Sequence, residues 1–167
     1  TEVEALMLLL ERFLKDKTPE LIERGVRLQA VGRIERLPKR CRKHLDKAIE
    51  KTASLNGLTL VLALSYGGRE EIVDACKRIA TQAKNGELDP AEIDNELLGQ
   101  NLYAPEMPDP DLLIRTSGEM RLSNFLLWQA SYTELVIEPK FWPDFSKADL
   151  RGAVEEYSRR HRRFGMV

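Results

Sequence analysis

Leu58-Thr59-Leu60-Val61-Leu62-Ala63-Leu64 is the stretch that decides the fold class. It is short, apolar everywhere except Thr59, and bounded by breakers, Asn56-Gly57 before it and Gly67-Gly68 soon after. Such a run predicts a central parallel strand covered on both faces, since parallel strands carry helices on either side. The flanking sequence agrees. Val26 to Val31 reads as a strand and Leu37 to Leu55 as a basic helix. Beyond the double glycine come a helix from about Glu70 to Lys84, a helix capped by Asp89-Pro90 and running to about Leu102, and a strand from Asp111 to Arg115. A helix from Asn124 to about Tyr132, a short strand from Leu135 to Ile137 and a last helix from Lys147 to Arg163 complete the pattern. Strands alternating with helices imply an α/β domain with an open, mainly parallel sheet flanked by helices. No repeat or linker divides it, so residues 1–167 read as a single domain.

At the N-terminus, Val3, Leu6, Met7, Leu10, Phe13 and Leu14 recur at helical spacing. Thr18-Pro19-Glu20 supplies an N-cap, a first-turn proline and an acidic residue for a second short helix that stops at Gly25. The apolar run Ala5 to Leu10 is too short to cross a bilayer or to form a whole signal peptide. Thr1 lies directly inside the first helical turn, which reads as a cut end.

The chain has 167 residues, with 26 Lys+Arg against 27 Asp+Glu and a net charge of −1. That balance argues against nucleic-acid binding through a global positive field, so anion affinity has to be sought residue by residue. The two cysteines, Cys41 and Cys76, have no metal-type spacing and suit a reducing, cytoplasmic setting. His44 and His161 lack ligand-spaced partners, and neither a Walker loop nor a dinucleotide glycine motif occurs.

The richest segment is Asp111-Leu-Leu-Ile-Arg115-Thr-Ser-Gly118-Glu-Met-Arg121-Leu-Ser123-Asn124. It sets two arginines, hydroxyl residues and a glycine between a strand's carboxyl end and a helix start, where open α/β sheets bind ligands. Ser123 as N-cap would leave free N–H groups aimed at an anion, and two guanidinium groups suit a diphosphate. The same residues also describe an ordinary capped helix with solvated arginines. Glu134, between that helix and the next strand, is either a Mg²⁺ carboxylate or a surface residue. Gly67-Gly68-Arg69 reads foremost as a strand-to-helix turn, and Arg36 to Lys47 as a solvated face.

Taken together, Asp111 to Gln129 with Tyr132-Thr-Glu-Leu135, Ala63-Leu-Ser-Tyr-Gly-Gly-Arg-Glu-Glu-Ile72, Phe141-Trp-Pro-Asp-Phe145 and Arg162-Arg-Phe-Gly165 resemble the cis-prenyltransferase family, of the undecaprenyl diphosphate synthase type. The resemblance implies condensation of isopentenyl diphosphate onto an allylic diphosphate, farnesyl diphosphate, to give long-chain polyprenyl diphosphate for a cell-wall lipid carrier. It implies Mg²⁺ as cofactor and a homodimer, with at most peripheral membrane contact for product delivery. Carried over by position, Arg115, Arg121 and Ser123 bind the diphosphate of isopentenyl diphosphate, and Glu134 helps hold Mg²⁺. Arg163 and Gly165 reach toward the isopentenyl site of a partner subunit. Leu6, Leu9, Val26, Leu28 and Leu58 line an apolar tunnel, although the same side chains suit the core of any α/β domain.

The family also carries an N-terminal Asp-Gly-Asn loop with the essential aspartate, and nothing in these residues matches it. No catalytic residue is therefore assigned. The expectation is of an N-terminally truncated chain that lacks the first strand and helix, exposes apolar surface there and is inactive alone. The alternative is a non-catalytic partner subunit, against which stand the retained Arg115, Arg121, Ser123 and Glu134.

Overall fold

One helix, α1 (Glu2–Glu23), runs through the position where the sequence predicts two. This computed structural model describes residues 2–160. Pro19 lies inside α1 and forfeits one intrahelical hydrogen bond. The apolar stripe continues across it, with Leu14 buried and Leu21 packed on the same cluster, and that burial outweighs the local break. Thr18 therefore caps no new helix; it is buried and its hydroxyl donates to the Leu14 carbonyl. The end comes where expected. Gly25, at φ 67°, donates to Ile22 O at 3.1 Å while Val26 donates to Leu21 O at 2.8 Å, a paired closure that needs the left-handed residue.

Strand β1 (Arg27–Val31), helix α2 (Lys39–Thr52) and strand β2 (Thr59–Ala63) complete the first of two compact units, which divide between Tyr66 and Gly67. β1 and β2 are parallel, with Arg27 opposite Thr59 and Val31 opposite Ala63. The stretch expected at the centre of a covered sheet has only β1 as strand partner among the described residues, and its Ala63 end is exposed. Its apolar composition reports burial preference, not the number of neighbours. α2 buries Cys41, Leu45, Ala48 and Thr52 at helical spacing. The Thr52 hydroxyl accepts the Leu28 N–H at 3.0 Å and donates to Ala48 O at 2.9 Å, satisfying a buried polar group on both sides. Leu14, Leu28, Leu37, Leu45 and Ala48 form the core. Arg42, Lys43 and Lys47 face solvent, whereas Arg40 donates to the buried Glu11 at 2.8 Å.

The second unit begins with α3 (Gly68–Lys84) and the short α4 (Asn95–Gln100). A 3₁₀ turn at Pro90–Glu92 stands in front of α4, so the single helix expected from Asp89 to Leu102 is split. Asp89 caps the turn and Asp94 caps α4, each through its side chain. Strands β3 (Leu112–Arg115) and β4 (Glu134–Ile137) are parallel, Leu112 opposite Glu134 and Arg115 opposite Ile137. Helix α5 (Lys147–Ser158) starts on a capping box between Ser146 and Asp149.

Candidate functional site

The functional segment leaves β3 at Arg115 and turns at once. Ser117 and Gly118 are both left-handed, φ 68° and 69°, and the turn is pinned by Ser117 N–H to Lys140 O at 2.8 Å and Gly118 N–H to Glu138 O at 3.0 Å. Ser123, Asn124 and Leu126 are left-handed as well. Each such non-glycine residue costs on the order of 1–2 kcal/mol, so the loop persists only because its surroundings determine it.

Asn124 supplies much of that determination. Its carbonyl accepts Gly68 N–H at 2.7 Å, its side-chain oxygen accepts Arg69 N–H at 2.9 Å, and its amide donates to Glu70 at 3.1 Å. The first N–H groups of α3, for which Gly67 offers no side chain, are thereby capped from a distant loop. Gly67 and Gly68 permit the approach. A Cβ on Gly68 would stand 2.9 Å from Leu127 Cγ and 3.0 Å from its backbone nitrogen.

This corrects the sequence reading. No helix runs from Asn124 to Tyr132, because two left-handed residues, Asn124 and Leu126, interrupt it; only a 3₁₀ turn at Gln129–Tyr132 forms. Ser123 is exposed at φ 50° and caps nothing, so no helix N-terminus faces an anion there.

What the loop does bring together is Arg115 and Arg121. Both pair with Glu119, Arg115 through Nη2 on one carboxylate oxygen and Arg121 through Nη2 on the other. The Arg115 hydrogen bond first, and Arg121 with it, hold the Glu119 carboxyl below the usual carboxylate range against the opposing effect of burial. The arginines open on a cleft of about 590 Å³, with Thr116 and Ser117 at their side and Leu113, Ile114, Leu122, Phe125, Trp142, Phe145 and Leu150 as apolar wall. Trp142 and Phe145 meet edge to face at 5.3 Å. A cationic end joined to an apolar pocket suits a small amphiphile with an anionic head.

Glu134 is not part of this group. It opens β4 opposite Leu112, while Arg115 closes β3 opposite Ile137, so the two lie roughly 10 Å apart along the strands. Its carboxylate accepts from Arg160 Nη1 at 2.7 Å, and Arg160 also pairs with Glu156. Among the described residues no cluster of three ligating side chains occurs.

The prenyltransferase family model for undecaprenyl diphosphate synthase matches residues 1–165. The chain belongs to the cis-prenyltransferase family. It is 51% identical over 166 residues to the isoprenyl transferase of Heliobacterium mobile, covering 99% of this chain and 64% of that protein. It is 49% identical over 164 residues to the ditrans,polycis-undecaprenyl-diphosphate synthase ((2E,6E)-farnesyl-diphosphate specific) of Micrococcus luteus, covering 98% and 66%. Among solved structures, lavandulyl diphosphate synthase from Lavandula x intermedia, in complex with dimethylallyl diphosphate, matches with a TM-score of 0.95 at 40% identity, over 98% of this chain and 71% of that one. A probable undecaprenyl diphosphate synthase from Campylobacter jejuni matches with a TM-score of 0.86 at 35% identity, over 98% and 74%. The fold is thus the α/β fold of these synthases, as the sequence reading expects.

In this cis-prenyltransferase chain the five tunnel candidates differ in exposure. Val26 and Leu28 are buried in β1 and just before it, whereas Leu6, Leu9 and Leu58 are exposed. A separate cleft of about 620 Å³ in the first unit is lined instead by Val3, Met7, Leu8, Leu37, Pro38 and Cys41, with Glu4, Glu11, Arg36, Arg40 and Ser65 among its polar walls. Arg163 and Gly165 lie outside the described residues. Sequence reasoning passed over Glu119 and Asn124. Glu119 had a signal, since it stands between the two arginines at a spacing from which one carboxylate reaches both. Asn124 had none, because its partners lie 55 residues away.

Proposed function

We propose that the whole protein condenses isopentenyl diphosphate with an allylic diphosphate, farnesyl diphosphate, and repeats the step to make long-chain polyprenyl (undecaprenyl) diphosphate. The observation that carries this reading is the convergence of Arg115 and Arg121 at the cationic end of an apolar cleft. Arg115 and Arg121 grip the diphosphate of isopentenyl diphosphate in charge-assisted hydrogen bonds, with the Ser117 hydroxyl beside them and Ser123 on the same loop. The apolar wall takes the five-carbon tail and keeps water from it, which strengthens the electrostatic grip. Arg115, held in place by β3 and the pinned turn that follows it, stabilises diphosphate charge without reorganising during the reaction. A new carbon–carbon bond forms as the allylic carbon–oxygen bond breaks, and loss of a proton leaves the cis double bond.

Mg²⁺ belongs to the proposal, with Glu134 as its carboxylate. A single hard oxygen donor suits an ion that takes most of its ligands from phosphate and water. In this structure Glu134 is held by Arg160 and stands away from Arg115, so the residues described do not assemble a Mg²⁺ site beside the arginines. The remaining parts are a homodimer in which Arg163 and Gly165 reach the partner's isopentenyl site, and peripheral contact of a cytoplasmic enzyme with the membrane that receives the product. No described helix is long and apolar enough to cross a membrane. Residues 1–167 are read as part of one catalytic domain, since a single family model runs through both units.

Incubation of the full-length protein with labelled isopentenyl diphosphate, farnesyl diphosphate and Mg²⁺ tests the reading. We expect label in extractable polyprenyl diphosphate; no Mg²⁺-dependent incorporation would overturn it.

A further inference from the structure

We propose that Glu119 is an internal competitor at the diphosphate site: its carboxylate holds the position between Arg115 and Arg121, and a diphosphate binds by displacing it. The inference rests on the assignment of the two arginines to the diphosphate and adds how that site is regulated.

The geometry is that of a bridging anion. Each oxygen of one carboxylate takes one guanidinium, so a single negative charge is spread over two positive groups and leaves them under-neutralised. Arg115 engages Glu119 only through Nη2, and its Nε is buried with no hydrogen-bond partner. Buried donors are nearly always paired, and the Nε edge of a guanidinium is part of the fork that a phosphate accepts in bidentate fashion. A diphosphate, with more charge and more oxygens than a carboxylate, satisfies both arginines and the orphaned Nε.

The backbone lets the exchange occur. Ser117 and Gly118 are tied to the carbonyls of Lys140 and Glu138, which fixes the loop's start, and Arg115 ends a paired strand. Residues 119–122 carry no regular secondary structure, so the Glu119 side chain can swing aside while Arg115 stays in place. The consequence suits repeated condensation. Every cycle must clear the diphosphate of the lengthened product from these arginines before the next isopentenyl diphosphate enters, while the pyrophosphate leaves from the allylic partner. A carboxylate that recaptures the arginines weakens their hold on the outgoing group.

Titration calorimetry of inorganic pyrophosphate into the full-length protein at low salt tests this, with Glu119→Gln, Glu119→Asp and Arg121→Ala beside the wild type. Glutamine keeps the shape without the charge, and we expect it to bind pyrophosphate about three- to tenfold tighter, the scale of an ion pair at a partly exposed site. Aspartate, too short to span both arginines, should move in the same direction by less, and it carries the comparison if the glutamine variant does not fold. In turnover assays, inhibition by pyrophosphate should strengthen in parallel, and the gap should narrow at high salt; a residue that merely supports the loop would do neither. Equal or weaker pyrophosphate binding in both Glu119 variants, with Arg121→Ala still losing it, would overturn the competitor role and leave the diphosphate assignment standing. Unchanged binding in Arg121→Ala would overturn that assignment, and this inference with it.

Discussion

Asn124 and Arg69, 55 residues apart in sequence, meet at 2.9 Å where the side-chain carbonyl of Asn124 accepts the backbone N–H of Arg69. That bond, with those to Gly68 and Glu70, closes the start of α3 and anchors, at Asn124, the far end of the loop that carries Arg121 and Leu122 to the cleft. Asn124→Ala removes the cap and leaves an alanine at φ 64°. We expect a loss of about 2–3 kcal/mol in urea unfolding, and about half of that for Asn124→Gly, which tolerates the left-handed backbone. Equal losses would mean that the backbone conformation contributes nothing.

Gly68 is required by proximity. A methyl group there meets both the side chain and the backbone nitrogen of Leu127, so Gly68→Ala should cost about 1–3 kcal/mol and lower the melting temperature. Adding Leu127→Ala relieves the side-chain half of the clash, and the double variant should lose less than the sum of the singles. Full additivity would contradict the contact.

The fold was legible where local chemistry and packing agree. Gly25 ends α1 as its conformational freedom predicts, α5 opens at Lys147, and the apolar runs around Leu60 and Leu113 become parallel strands. Pro19 misled because packing of Leu14 and Leu21 overrides one missing hydrogen bond. The segment 124–132 misled because its helical composition loses to tertiary bonds from Asn124 that no local pattern reports. At the site, Arg115 and Arg121 could be read from their place after a strand. That both rest on Glu119, and that Glu134 turns to Arg160, depends on rotamers and register that the sequence does not display.

The capping box of α5 should appear in the pH dependence of stability. Lys140 first, then Ser146 through its side chain and backbone, lower the Asp149 carboxyl from 3.8 to about 2. A carboxylate more acidic in the folded state stabilises the fold above its unfolded pKa and loses that contribution as pH falls through its folded one. Unfolding free energies of wild type and Asp149→Asn should therefore differ at neutral pH and converge as pH falls from 3.8 towards 2. A gap that persists below that window would place the effect elsewhere.

The two thiols should separate in reactivity. Cys76 is exposed, whereas Cys41 is buried and its thiol is pushed up by that burial and by the charge of Glu11. A chromogenic disulfide reagent at pH 8 should titrate one thiol of these two quickly and the second only on unfolding. Two fast equivalents would show that the α2 face opens in the native protein.

The measurement closest to the centre of this account is the affinity of isopentenyl diphosphate for the full-length protein and for Arg121→Ala, read beside that of farnesyl diphosphate. A charge-assisted contact to phosphate contributes about 1.5–3 kcal/mol, so we expect isopentenyl diphosphate to weaken roughly 10- to 100-fold while farnesyl diphosphate changes little. Equal loss for both substrates, or no loss for either, would contradict the placement of the isopentenyl diphosphate in the Arg115–Arg121 cleft.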